Sequence, residues 1–366
     1  MDFFEVKIAE VVPETGDAAT IYFDIPEDLK NTFKYKEGQY LTFKFNLNGK
    51  EERRSYSLCT SPMEERMGVT VKRVENGLIS NLMLDKFKAG DTVLVGKPEG
   101  RFNCKLDEGN KKTYYLIGAG SGITPLMSIL KTILEKEPLG QVYLLYGNRS
   151  EETIIFKETL DKLQKRYEGQ LTIEHVLSQP KKEKAGGLSG WLGKSTTSWV
   201  GKIGRIERGI LNHFINDNPA RNKEVEYFIC GPGDLIQMSE KALIGLGVDK
   251  KNIHHEYFST PTDKKEAAET TTGGLAAKAI IHLDGDTIAM TLNPDKSILD
   301  NLVDEGYDPP YSCTSGSCST CMAKMIKGTV EMDVCLALDE EEVEDGYVLT
   351  CQSKATSPEI ELTYKV

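Results

Sequence analysis

No stretch of this chain approaches the roughly 18–20 apolar residues that a membrane span requires. Its apolar runs are short, and one of the longer ones, Leu243–Leu246, is broken by a glycine. The opening MDFFEVKIAE is charged early and lacks an apolar core, so no secretory signal is expected. Tryptophan is scarce, with both copies inside residues 178–202, and no internal repeat is visible. Basic charge is not in excess either: the net charge is −11, which argues against nucleic-acid binding. These absences point to a cytoplasmic protein that neither spans a membrane nor coats nucleic acid.

What is present is ample material for cores: 366 residues, 39% hydrophobic and 28% charged. Two to four domains are expected at roughly 100–200 residues each. The charge is uneven. Residues 277–366 hold six lysines, no arginine and 17 acids, so they carry the whole −11. Cysteine follows the same division, with five of eight copies at 313, 318, 321, 335 and 351. Such clustering in a reducing compartment suggests metal or redox chemistry rather than disulfides.

The pattern along the chain changes twice. Val6–Val12, Thr20–Asp24, Tyr40–Phe45, Arg54–Ser57, Val69–Val74 and Thr92–Val95 read as short strands punctuated by Pro, Gly and Asn, which predicts a small antiparallel barrel. From Tyr114 onward, strands at 114–117, 142–146, 171–177 and 227–230 alternate with helices at 125–134, 156–167 and 234–246. That alternation predicts a parallel sheet with covering helices. Residues 178–202, rich in Lys, Gly and Ser, read as a mobile loop, and residues 259–275 as a linker with almost nothing apolar. A last module opens with alternating strands around Ile280–Leu292, divided by Asp284-Gly285-Asp286.

Cys313, Cys318 and Cys321 stand at C-x4-C-x2-C spacing, and Cys351 follows after 29 residues. This is the spacing of a plant-type 2Fe–2S site. Ser312, Thr314, Ser315, Gly316, Ser317, Ser319 and Thr320 are all small, which lets backbone wrap closely around a cluster. Zinc is the alternative, but it favours two close cysteine pairs where only one exists here. Cys335 competes for the fourth position; the strand-end setting VLTCQS favours Cys351, leaving Cys335 as a small core residue. The segment PYSCTSGSCSTC…LTCQS resembles the plant-type ferredoxins, whose fold is a β-grasp, with Thr314 where photosynthetic members usually carry arginine.

Three ordered motifs precede it. Arg54-Ser55-Tyr56-Ser57, Lys72-Arg73-Val74…Gly77-x-x-Ser80-Asn81, and Gly90-Asp91-x-Val93…Pro98-x-Gly100-x-Phe102 resemble the flavin domain of the ferredoxin–NADP reductase superfamily. The resemblance implies FAD, with Arg54 on a phosphate, Tyr56 on the flavin ring, Ser57 near N5, and Lys72, Arg73, Val74, Gly77, Ser80 and Asn81 around the pyrophosphate. Gly118-Ala119-Gly120-Ser121-Gly122-Ile123-Thr124-Pro125 follows a strand and opens a helix, as a dinucleotide turn does. Cys230-Gly231-Pro232-Gly233 is similar to the superfamily's second nicotinamide motif. Glu256-Tyr257-Phe258 matches its acid-and-aromatic ending, which implies that an aromatic covers the flavin face, Phe258 ahead of Tyr257. Arg149 and Ser150 stand where an adenosine 2′-phosphate would be met, with Arg205 assisting, which leans toward NADPH while leaving NADH open.

The resemblance therefore implies a FAD-binding barrel over 1–108, a Rossmann-like NAD(P) domain over 109–258, a linker over 259–276 and a ferredoxin domain over 277–366. It implies passage of an electron pair from NAD(P)H to FAD, with Ser57, Thr124, Cys230, Glu256 and Phe258 around the reacting atoms. Single electrons would then leave through the 2Fe–2S cluster. MDVCLAL…DGYVLTCQS is similar to the reductases of the phenylacetyl-CoA epoxidase group; reductases of ring-hydroxylating and steroid-hydroxylating systems are near relatives, and a redox sensor is the reading from another class. The expected partner is a multi-component oxygenase, or another one-electron acceptor, steered to an acidic surface that includes Asp339–Asp345.

Overall fold

The structure is a computed structural model and describes residues 1–184, 195–258 and 274–366. The first sheet is built from β1 (Phe3–Thr15), β2 (Ala18–Asp24), β3 (Tyr40–Leu47), β4 (Lys50–Ser57), β5 (Met67–Lys72) and β6 (Thr92–Gly96), with helix α1 (Leu78–Lys86) before β6. All its pairings are antiparallel, in the order β4-β3-β6-β1-β2-β5. A bridge between Leu58 and Val69 joins the two outer strands and closes the barrel. Alternate apolar residues face inward: Val6, Ile8, Ile21, Phe23, Leu41, Phe43, Val69 and Val71. Ile79 and Met83, four apart on α1, turn toward that core. The barrel expected from the short strands is present, although β5 ends two residues earlier than its apolar run.

The second sheet holds β7 (Lys112–Ala119), β8 (Gln141–Asn148), β9 (Leu171–Leu177), β12 (Lys202–Ile203), β13 (Glu224–Gly231) and β14 (Ile253–Tyr257). Its order is β12-β9-β8-β7-β13-β14, parallel throughout. Helices α2 (Ile123–Lys136), α3 (Lys157–Arg166), α4 (Arg208–Asp217) and α5 (Gly233–Gly245) join these strands. β8 is buried along its whole length, as a central parallel strand covered on both faces must be. The strand order reverses between β7 and β13, and ligands bind outside the strand ends at such a point.

The expected mobile loop over 178–202 is corrected at its ends. β10 (Lys182–Lys184) and β11 (Ser195–Thr197) pair antiparallel. Trp199 packs on the core and donates its indole N–H to the Lys202 carbonyl at 3.0 Å. Trp191 and most of the expected linker lie outside the described residues. The linker's end is not free: Gly274 and Leu275 donate backbone N–H groups to Pro294 and Ala355.

The third unit comprises β15 (Lys278–Leu283), β16 (Asp286–Thr291), α6 (Ile298–Asp304), β17 (Met322–Lys327), β18 (Val330–Met332), α7 (Glu340–Glu344), β19 (Tyr347–Leu349), β20 (Ser353–Ala355) and β21 (Glu359–Thr363). The sheet order is β16-β15-β21-β17-β19, with β15 and β21 parallel, and α6 lays Ile298 and Leu302 onto it. Asp284 and Gly285 both have positive φ, 51° and 94°, which makes the tight hairpin between β15 and β16. Among the described residues no helix is long and apolar enough to cross a membrane.

Candidate functional site

Strand β4 divides its side chains by period-two alternation. Arg54 and Tyr56 take one face. Arg54 is about half exposed, 3.2 Å from Glu52, and Tyr56 sets its ring edge-on to Phe43 at 5.7 Å. Burial pushes the Tyr56 phenol up to about 12. Arg53, Ser55 and Ser57 take the other face, where the first two meet the 308–312 segment of the third unit and the last meets β14. Arg53 is 2% exposed and paired with Glu51 and Asp308. Ser55 is hydrogen-bonded to Ser312 and Ser57 donates to Glu256 at 3.3 Å.

At the start of α1, the Ser80 hydroxyl accepts from the Val74 N–H at 3.1 Å, and the Asn81 amide donates to the Val74 and Gly77 carbonyls. Arg73 is turned along the helix to Asn81 and Asp85, 2.7 Å from each. Lys72 reaches the other way, 3.7 Å from Asp17 and beside Gly120 of the neighbouring sheet. A Cβ on Gly77 would stand 2.8 Å from Ser80 Oγ, so this turn is a cradle that admits no side chain.

The glycine turn after β7 lies against the end of β13. A Cβ on Gly122 would come within 2.1 Å of the Cys230 carbonyl oxygen, and one on Gly118 within 2.7 Å of Leu126. Gly120 adopts a φ of 54°, a region most side chains avoid. Thr124 is buried and caps back to the Ser121 carbonyl at 3.0 Å, with Pro125 in the first turn of α2. Gly231, followed by Pro232 at the start of α5, stands beside Ala119. The two loops thus pack backbone against backbone at the switch point, outside the strand ends, where a dinucleotide would be met.

Cys230 and Glu256 are register partners on β13 and β14. Burial pushes the Glu256 carboxyl up to about 8, with the Ser57 hydrogen bond opposing that rise. Burial likewise drives the Cys230 thiol well up, helped by the nearby Glu256 charge, so it is no ready nucleophile. Tyr257 is buried in the sheet's core, whereas Phe258 is 42% exposed at the strand's end. Arg149 and Arg205 are exposed beyond the ends of β8 and β12, and Ser150 forms a capping box with Thr153.

The four cysteines are brought together. Cys313 contacts Cys318 and Cys351, and Cys321 contacts Cys351. Contact with Cys318 and Cys351 pulls the Cys313 thiol down, while contact with Cys313 and Cys321 pushes the Cys351 thiol up. Four thiols that cannot all ionise side by side suit a site supplied with positive charge. The four thiols form a row of pairwise contacts, Cys318 to Cys313 to Cys351 to Cys321. The Ser315 N–H points at Cys313 Sγ at 3.5 Å. Gly316, with φ 71°, passes so close to the Val334 carbonyl that a Cβ would stand 2.4 Å from it. Donor set and close-wrapped backbone both fit a 2Fe–2S cluster. Cys335 packs beside this group as a partly buried neighbour.

The cysteine loop is docked on the barrel. Ser312 meets Ser55, and Thr320, whose hydroxyl is 3.4 Å from Cys318 Sγ, meets the buried Tyr40 hydroxyl at 2.7 Å. A cavity of about 780 Å³ lies where the three units meet, lined by Tyr40, Phe102, Glu256, Cys318 and Leu336 among others. Sequence reasoning missed Tyr40, Arg53, Asp308 and Tyr311, all of which act across units. The acidic run 339–345 also differs from a wholly outward-facing patch, since Glu342 pairs with Arg101 and Glu340 with Lys250 at 3.3 Å.

Family comparison agrees with this division of labour. Residues 5–104 match the oxidoreductase FAD-binding domain, 116–241 the oxidoreductase NAD-binding domain and 281–356 the 2Fe-2S iron-sulfur cluster binding domain. The chain is a flavin- and nicotinamide-dependent iron–sulfur oxidoreductase. It belongs to the ferredoxin–NADP reductase superfamily, in the family of oxygenase-system reductase components that end in a plant-type 2Fe–2S domain. It is 34% identical to one of the subunits of the 1,2-phenylacetyl-CoA epoxidase of Escherichia coli, over 96% of this chain and 94% of that one. It is 32% identical to the 3-ketosteroid-9-alpha-monooxygenase ferredoxin reductase component of Rhodococcus rhodochrous, over 98% and 96%. Phthalate dioxygenase reductase has the same fold, at a TM-score of 0.57 and 22% identity, over 99% of this chain and 98% of that one.

Proposed function

We propose that the chain is the reductase component of a phenylacetyl-CoA epoxidase-type monooxygenase, working in the cytoplasm and drawing on NADPH. When bound, the nicotinamide supplies an electron pair, FAD accepts the pair and releases it singly, and the 2Fe–2S cluster carries one electron at a time. Docking of the cysteine loop on β3 and on the strand of the R-x-Y-S motif carries this reading, because it sets the cluster ligands beside the flavin's strand, where electrons would enter the cluster.

The protein's own residues bind, orient and handle a proton. Arg54 holds flavin phosphate, Tyr56 lies along the ring, and the first turn of α1 with Gly77, Ser80 and Asn81 meets the pyrophosphate, flanked by Lys72, Arg73 and Val74. Gly118, Gly120, Gly122, Thr124, Pro125, Gly231 and Pro232 shape the nicotinamide crevice. Phe258 shields the exposed ring, and Cys230 packs against the nicotinamide. Glu256 keeps a proton at neutral pH and shares it with Ser57 beside flavin N5. Arg149, Ser150 and Arg205 receive a 2′-phosphate. Cys313, Cys318, Cys321 and Cys351 hold the iron pair. Proposed boundaries run 1–108, 109–258, 259–276 and 277–366.

Resemblance of the MDVCLAL…DGYVLTCQS segment to the epoxidase group favours that partner; whole-chain identity is alike for the two, 34% to the epoxidase subunit and 32–35% to the steroid monooxygenase components. The test is reconstitution with FAD, iron and sulfide, followed by NADPH- and NADH-driven reduction of cytochrome c. Turnover with the companion epoxidase components is then compared with turnover by a steroid hydroxylase. A reconstituted chain that no nicotinamide reduces would overturn the reading. Productive coupling only to the steroid enzyme would overturn the choice of partner.

A further inference from the structure

We propose that Arg53 fixes the docked pose of the 2Fe–2S domain on the flavin barrel, holding the loop of Cys313 against the strand of the R-x-Y-S motif. Arg53 stands on β4, the first strand in the order of the barrel sheet, at a position that faces away from the barrel's apolar core, where a guanidinium would ordinarily be solvated. Instead it is 2% exposed. Its Nε is 2.7 Å from Glu51 of its own strand, and its Nη2 is bonded to Asp308 of the other domain. Its Cζ lies 4.2 Å from the Tyr311 ring centre and 5.0 Å from that of Phe3. The clamp therefore closes on the chain at 308 and 311, immediately before Ser312 and the first cluster cysteine.

Desolvating a guanidinium costs several kcal/mol unless charge and hydrogen bonds replace its water. Buried pairs of this kind add little net stability over an apolar contact, but a misaligned dock leaves the charge uncompensated. Arg53 acts accordingly as an orienting device. Its Nη1 already lacks a partner among the described residues, which leaves little tolerance for further loss. Lysine could not replace it, since the planar fork serves two carboxylates while lying over two rings. The contacts Arg101–Glu342 and Lys250–Glu340 are different: their side chains are between 23% and 85% exposed, and salt screens them. Electron tunnelling falls exponentially with distance, so a fixed pose sets the rate from flavin to cluster. Arg53 is a positioning residue, since it acts through the dock rather than on either cofactor.

This inference rests on the assignment of flavin and cluster above, and one experiment separates the two. Wild type, Asp308→Asn and Arg53→Met are compared as full-length holoproteins. Stopped-flow absorbance follows flavin reduction by NADPH and then cluster reduction. Hydrogen exchange follows residues 307–313 and strand β4. In both variants, flavin reduction stays within about twofold of wild type, cluster reduction slows by about tenfold or more, and exchange over 307–313 quickens by about tenfold. Unchanged cluster reduction and unchanged exchange overturn the clamp. Asp308 is 57% exposed, so its variant folds and decides the matter even where a change at buried Arg53 does not. Failure of the cofactor assignment shows separately, as a wild-type flavin that NADPH does not bleach; the exchange comparison still judges the clamp.

Discussion

Glu256 carries a proton at pH 7 that a free glutamate has lost, because burial raises its affinity to about pH 8. An acid with a raised folded-state value gives stability that is full below its unfolded value of 4.5 and declines as pH rises through 8. Melting curves of wild type and Glu256→Gln between pH 5 and 9 should therefore converge toward the acid end. The wild type should fall behind by up to a few kcal/mol, roughly, as pH rises, then level off. A constant difference would refute the assignment. At the same scale, Cys351→Ser should abolish the visible absorption of the reconstituted cluster, whereas Cys335→Ala should keep it. The grouping of Cys313, Cys318 and Cys321 was readable because the three stand close together in sequence. Arg53 was not: two arginines stand side by side in RRSYS, and the motif marks the exposed one. Strand alternation alone reveals that its neighbour shares a face with Ser55 and Ser57.

The strands and helices of the first two units were largely legible, since apolar periodicity and glycine turns report local geometry. Helix α4 was missed, and so were the paired ends of the 178–202 segment, where lysine and glycine mask a short antiparallel contact. Close approach between elements is likewise hidden in sequence. Gly122 looked like part of a phosphate-binding turn, yet its immediate constraint is the backbone of Cys230. Gly122→Ala places a methyl group 2.1 Å from that carbonyl, and no flexible side chain is there to yield. The urea midpoint should drop by an amount equivalent to about 2–3 kcal/mol. Gly209→Ala, in α4 with nothing within 4 Å of the added carbon, should be neutral or slightly stabilising. Equal effects at both glycines would show that packing at the crevice is not the constraint.

The order of the units could be read from motif order, but how they dock could not, because the decisive pairs join residues more than 200 positions apart. Arg53 meets Asp308, and Arg101 meets Glu342. The acidic helix α7 thus serves the chain's own reductase units through Glu340 and Glu342 before it serves any partner. Arg101→Ala with Lys250→Ala frees both carboxylates. At low salt this should quicken electron delivery to a basic acceptor such as cytochrome c by roughly two- to fivefold, and the gain should vanish at high salt. A gain that persists at high ionic strength would rule out electrostatic competition. The ferredoxin unit also lends Val334 and Leu336 to the apolar cluster that holds Leu235, Ile236 and Tyr257, while His255 hydrogen-bonds the Leu336 backbone. During synthesis, the ribosome finishes the parallel sheet well before it delivers the two aliphatic side chains that roof this seam. A fragment cut after residue 258 should accordingly be sticky, binding chaperones and hydrophobic dyes that the complete polypeptide ignores.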